Sequence, residues 1–332
     1  MAETGRPVPA SDRLTGSPAR RGPVAPVSRR LLWLVVLWLA VPLFLVSPAY
    51  GSHRLLLALW DDGHLILFFL LVLLAWDGRP LARLRWPARL AVVGVLMLAL
   101  GAGIEVVQGL TGRDAQLRDV AADLAGAAIG LALLAALRGP GRAARAAAAG
   151  SGLLLLVVVL WPLARTALDS LAAWRSFPVL SDFETPWETD RWRPHRAELR
   201  LDAACARHGR AGLRIRYLPG RYPTVTLKDF PADWRAWQAL SFSLYNPGDR
   251  PLPMELKVYD RAHHGGRGGW ADRFNRELQV APGWTDWRIP LSEIRSAPAR
   301  REMDMSQIDS LSLFVHSPRV AVELCLDALR LE

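Results

Sequence analysis

The residues best suited to chemistry in this 332-residue chain stand inside or beside long apolar runs. Asp61, Asp62 and His64 open one such run. Glu105 and Gln108 lie three apart near the end of the next, so they share a helix face. Asp119 and Asp123 are four apart at the start of a third, again on one face, with Arg113 and Arg118 beside them. Ionisable groups in apolar segments are costly and mark a site by default. An imidazole with several carboxylates can bind a metal through nitrogen and oxygen, or run acid–base chemistry if burial shifts the pKa values. The same acids can pair with the arginines and simply tie helices together. A pocket for a lipid headgroup, an envelope precursor or a cation needs no reaction at all. No HExxH, serine-nucleophile motif or phosphate-cradling glycine loop is present, so no catalytic residue is assigned.

The elements that must position these groups are apolar helices at about 31–49, 62–78, 88–110, 117–137 and 152–171. Roughly 20 apolar residues cross about 30 Å of hydrocarbon, and the second run is the short one. Of 41 basic residues only Lys228 and Lys257 are lysine, so the net charge of +10 is mostly arginine. Thirteen arginines fall in residues 1–30 and in the loops after the second and fourth runs, against three in the opposite loops. Positive loops stay cytoplasmic. The expectation is five spans in an inner membrane, a disordered cytoplasmic tail over 1–30, and a C-terminal half that is periplasmic or extracellular. No basic stripe interleaved with aromatics is present, which argues against nucleic acid.

Glu105-Val-Val-Gln108, Gly112-Arg113, Asp119, Asp123, Gly126 and Gly130 resemble the signature of VanZ-like membrane proteins. Asp61-Asp62-Gly63-His64, with Phe68 and Phe69, is similar to that family's earlier acidic-then-His motif. The resemblance covers about residues 31–138 and implies a helical membrane domain at 31–173 with a link to glycopeptide resistance. It supplies no reaction. Gly126 and Gly130 form a small-xxx-small pair, a close-packing face for a neighbouring helix.

From about residue 179 to 332 the pattern changes to short alternating strands, such as Leu240-Ser-Phe-Ser-Leu-Tyr245, separated by turns such as Asn246-Pro247-Gly248. Eight or nine such strands predict an all-β jelly roll or β-sandwich. Asp182-Phe-Glu184, Gly212, Gly283-Trp284 and Leu326-Asp327 resemble the galactose-binding-like sandwich of many carbohydrate-binding modules. That resemblance implies Glu184 and Asp327 as candidates for a structural calcium, whose hard-oxygen preference they suit. The long loop at 260–276 carries Asp260, His263, His264, Trp270, Arg273, Phe274 and Asn275, a flat apolar ring beside polar groups, as sugar recognition requires. Both cysteines, Cys205 and Cys325, fall in this half, where an oxidising compartment permits a bridge.

The expected protein is therefore a helical membrane bundle followed by an outer sandwich, with a binding or accessory role toward a glycan or a lipid-linked envelope precursor. The alternatives are a membrane-embedded enzyme acting on such precursors and a scaffold that docks another envelope protein.

Overall fold

A computed structural model describes residues 29–45, 54–78, 80–110, 117–265 and 269–332. The tail 1–28 and the turn carrying Arg113 lie outside these residues. The first half is helical: α1 (Arg29–Leu45), α2 (Arg54–Trp76), α3 (Trp86–Leu110), α4 (Leu117–Arg138) and α5 (Arg142–Ser176). By length and composition α2, α3, α4 and α5 are each able to cross a membrane, and α1 is shorter. Their outward faces carry many exposed apolar side chains, among them Trp38, Leu110 and Leu154. Apolar surface on that scale needs a partner other than water.

Two helices depart from the bounds expected from hydropathy. The second run was expected to start at 62, with Asp61-Asp62 as its polar entry. Instead α2 begins at Arg54, because 55–60 is itself apolar and helix-forming, so both acids lie inside the helix. The expected loop before the fifth run is absorbed into α5, since 143–149 is almost all alanine. At 35 residues, α5 is roughly 50 Å long, well beyond a hydrocarbon core of about 30 Å.

The two ends of the bundle differ in charge. At one end Arg138 pairs with Asp77 at 2.9 Å, and Arg89 lies over the Trp76 ring and donates to its carbonyl. The arginines at the start of α5 are carried on the same connection. The opposite end, where α2 begins and α5 finishes, carries the second half of the chain.

That half is a sandwich with eleven strands among the described residues: β1 (Val179–Ser181), β2 (Trp192–His195), β3 (Ala197–Asp202), β4 (Gly212–Tyr217), β5 (Thr224–Leu227), β6 (Ala239–Asn246), β7 (Leu252–Asp260), β8 (Phe274–Val280), β9 (Gly283–Pro290), β10 (Ile308–Phe314) and β11 (Val322–Leu331). One antiparallel sheet runs β3-β4-β11-β6-β9, and the other β2-β5-β10-β7-β8. β1 and β4 share one edge of β11, pairing with its second and first halves respectively. Alternation puts Leu240, Phe242 and Leu244 of β6 and Met254, Leu256 and Val258 of β7 in one buried core. Pro194, which cannot donate to a ladder, sits on an edge strand. Cys205 and Cys325 are disulfide-bonded, with Cα atoms 5.3 Å apart, and tie the 3-10 turn at Ala203–Cys205 to β11.

The halves are joined by charge. Asp169, fully buried near the end of α5, accepts from Arg191 Nη2 at 2.7 Å and Nε at 3.0 Å, and from the Arg54 guanidinium at the start of α2. Arg191 also donates to the Leu180 carbonyl. The Arg54 backbone N–H donates to Asp229, just beyond β5, at 3.1 Å. Removing one partner of a buried pair leaves an uncompensated charge, at a cost of about 3–5 kcal/mol. Asp169→Ala is therefore expected to lower the thermal stability of the purified protein and to open the junction to protease. A variant as stable and protease-resistant as the parent would show that the junction is held by other contacts.

Candidate functional site

Among the helices, the chain folds so that α2, α3 and α4 each bring one of the sequence-named groups to the same place. His64 Nδ1 lies 3.1 Å from Asp123 Oδ1, both buried. Glu105 on α3 is also buried, and the charges of Glu105 and Asp119 act on His64. Asp123 Oδ2 is buried without a hydrogen-bond partner among the described residues. Asp62 is half-buried on the same helix as His64. The side chains of Asp61 and Gln108 lie outside the described residues, as does Arg113. Close approach is what makes the cluster: a Cβ at Gly126 would lie 2.1 Å from the Leu65 carbonyl oxygen, and one at Gly130 would lie 3.0 Å from Val72 Cβ. The neighbour of the two glycines is α2.

A second constellation lies on the outer face of the five-stranded sheet. Register sets it. Phe314 pairs with Thr224 on one side and Glu255 on the other, while Ser312 pairs with Thr226 and Lys257. Arg193 faces Thr226, and Lys257 faces Asn275. The face thus carries two cross-strand rows, one of them Arg193, Thr226, Ser312, Lys257 and Asn275. A cavity of about 440 Å³ opens on it, lined by Tyr222, Thr224, Glu255, Lys257, Trp270, Arg273, Phe314 and His316.

The cavity has an aromatic wall and a polar floor. Tyr222, Phe314 and His316 pack edge-on with centroids 5.2–6.2 Å apart. Trp270, 68% exposed, stands across from them on a 3-10 turn. Glu255 accepts from or pairs with His316 at 3.0 Å through one oxygen, and its other oxygen is buried without a partner among the described residues. Burial pushes the Lys257 amine down to about 8, aided by the positive charges of Arg273 and Lys228. Burial likewise lowers the Arg273 guanidinium. An orphaned acceptor beside exposed rings can take a hydroxyl donor while a ring stacks on its apolar face.

The loop residues named from sequence separate into different roles. Trp270 and Arg273 line the cavity. Asn275 holds them, accepting from Arg273 Nε at 2.8 Å and donating to the Trp270 carbonyl at 2.9 Å. Phe274 is in the core. Asp260 is fully buried and bound by Arg301 at 2.8 Å; burial opposes its charge, but that guanidinium and the backbone N–H groups of Asp304 and His263 hold its carboxyl below the usual range. Arg301 also clamps Asp272, which His263 Nδ1 approaches at 3.3 Å. This pins the loop to β7. The His264 side chain lies outside the described residues. Tyr222, Glu255, Lys257, Phe314 and His316 escaped the sequence reading, because they meet through strand register, which no local pattern gives.

Glu184 and Asp327 both face the loop at 207–211. Glu184 accepts the N–H of Arg210 at 2.7 Å, and Asp327 accepts those of Arg207 and His208 at 2.6 and 2.9 Å. A cation there would compete with these donors. The nearby carboxylate hub is Glu188, which accepts from Ser181, the N–H groups of Asp182 and Phe183, and Thr185. Burial, then the adjacent Glu188 charge, pushes Asp182 up to about 6.

No family model matches the chain, and no curated protein matches it. Among solved structures, it is similar to a family 11 carbohydrate-binding module from Clostridium thermocellum in complex with a β-1,3-1,4-mixed-linked tetrasaccharide. Identity is 17%, coverage is 46% of this chain and 93% of that one, and the TM-score is 0.38. An exo-β-agarase is similar over 46% of this chain and 24% of its own, at 18% identity and a TM-score of 0.38. A family 29 carbohydrate-binding module is similar over 43% of this chain and 82% of its own, at 12% identity and a TM-score of 0.29. The description of the sandwich rests on its strand order and register.

Gly126→Ala is expected to force α2 and α4 apart, at about 1–3 kcal/mol for overpacking, and to lower the unfolding temperature in detergent; an unchanged temperature would show that the helices do not meet there. Asp182 carries a proton in the folded sandwich that the unfolded chain has already released between about pH 4 and 6. Its contribution is therefore full below about pH 4 and lost as pH rises through about 6. After screening of this half-buried group, about 1–2 kcal/mol is at stake. Asp182→Asn should raise the unfolding temperature at pH 7 by a few degrees and flatten its fall between pH 4 and 7. A parallel pH profile in the variant would assign the dependence to another group.

Proposed function

We propose that this protein binds a glycan on the outer face of its five-stranded sheet, and that the helical half anchors the sandwich at a cell membrane. One observation carries the reading: exposed Trp270 and Tyr222 flank a polar floor whose Glu255 oxygen lacks a partner among the described residues. Sugars offer what such a cleft needs, an apolar ring face together with hydroxyl donors. The orientation is supported by charge and by sulfur. The arginine-rich end of the bundle lies opposite the sandwich, which suits a cytoplasmic side, and a disulfide suits an oxidising compartment outside it. The VanZ-like reading of the helices, with the glycopeptide-resistance role it implies, belongs to this proposal and rests on the motif residues alone.

A second reading has its own observation. The buried His64–Asp123 contact, with Glu105 beside it, suits proton transfer on a lipid-linked precursor within the bundle. It makes catalysis depend on His64, whereas the first reading makes binding depend on the sheet.

The test is a glycan panel applied to the full chain in nanodiscs. Trp270→Ala and Tyr222→Ala should each weaken the captured glycan about 10–100-fold, the range of aromatic anchors at a binding site, with the unfolding temperature unchanged. Absence of binding across neutral and acidic glycans would sink the proposal.

A further inference from the structure

The cleft carries more positive charge than a neutral sugar requires. Lys257 and Arg273 both line it, and neither makes an ion pair among the described residues. Arg273 spends its Nε on the neutral Asn275 oxygen. The Lys257 amine lies 5.1 Å from the Tyr259 ring centroid, a contact that leaves its hydrogen-bond donors available. Two more cations border the same face: Arg221, stacked 5.3 Å from the Tyr222 ring, and Arg193, exposed on the edge strand in the same cross-strand row as Lys257. Among the described lining residues the only acid is Glu255, and it is engaged with His316 at 3.0 Å.

The choice of lysine is itself informative. The chain uses arginine 39 times and lysine twice, and both lysines lie toward this sheet: Lys228, 3.6 Å from Asp309, and Lys257. Arginine's planar fork suits fixed bidentate pairs. Lysine is a compact charge that loses its proton more readily when buried. A surface built from arginine alone would not place a small, half-buried cation beside Glu255.

We infer that the cleft selects a saccharide bearing an anionic group, a uronate carboxylate, a sulfate ester or a phosphate, with Lys257 and Arg273 as the counter-charges and Glu255 accepting a hydroxyl of the same sugar. This rests on the glycan reading and names the chemical class of its ligand. Lys257 is the group that titrates, and the charges facing it are Arg273, Lys228 and Glu255, with His316 beyond Glu255. Since burial holds its amine down to about 8, the preference for an anion should weaken as pH rises from 7 to 9, leaving Arg273 as the remaining cation.

The experiment compares three probes on the full chain in nanodiscs: an oligogalacturonate, its carboxyl-reduced neutral counterpart, and a sulfated form of that counterpart. The expected result is at least tenfold tighter binding of an acidic probe, weakening with added salt. Whichever acidic arm binds identifies the anion. Lys257→Gln should bring the acidic-to-neutral ratio close to one. Lys257→Arg, which keeps the charge, should retain the ratio and lose its fall between pH 7 and 9. Equal binding of neutral and acidic probes by the parent protein, or a ratio that survives Lys257→Gln, overturns the inference and leaves the glycan reading standing. Binding of no probe overturns the inference, and the glycan reading then stands or falls on the wider panel of neutral and acidic glycans.

Discussion

The buried Asp169–Arg191 pair is the interaction at the centre of the junction between the two halves of this protein. Asp169 is buried on a helix that is otherwise apolar along most of its length, and it is answered from both sides, by Arg191 of the sandwich and Arg54 at the start of α2. A lone carboxylate in such a place would be prohibitively desolvated, and a lone arginine nearly so. Each charge makes the other tolerable, so docking of the sandwich completes the neutralisation of the buried Asp169–Arg191 pair. The clamp reaches further than its own atoms. The Arg54 backbone binds Asp229, immediately after β5, and β5 is a strand of the sheet that bears the cleft. The sheet that bears the cleft is thereby tied to the start of α2.

Inside each half the same logic of close approach recurs with different means. In the bundle, glycines on α4 admit the backbone of α2, and that contact is what lets His64 reach Asp123. In the sandwich, an ion-pair clamp at Arg301 fixes the loop that presents Trp270, and Asn275 sets the ring and the Arg273 guanidinium relative to each other. The cleft is exposed on its solvent side and over-determined beneath it. That combination keeps the ordering cost low for any ligand, since the polar groups are already placed.

Much of the architecture was legible along the chain. Long apolar runs and short alternating ones separate the halves, and Trp270, Arg273 and Asn275 were visible as a ring beside polar groups. The extent of α2 was not, because Asp61-Asp62 reads as an interface when hydropathy is averaged, whereas helix geometry needs only a continuous run of formers. Asp169 was hidden for the opposite reason: one acid barely lowers the hydropathy of its segment. Its isolation within an apolar run was the signal available. Asp260 looked like a ligand and is a strut, since nothing local reveals that Arg301, 41 residues away, will meet it.

By itself the sequence determined which segments bury apolar surface, the period of each, and the end of the helices that carries positive charge. Those are consequences of local pattern, and local pattern is written in consecutive residues. Only the tertiary structure decided that Phe314 stands between Thr224 and Glu255, that Lys257 lies one row over, and that Asp169 faces Arg191. Period-2 alternation assigns a face to a strand but no neighbour. Neighbours follow from strand order and register, which are settled by packing among residues as far apart as Val179 and Arg330.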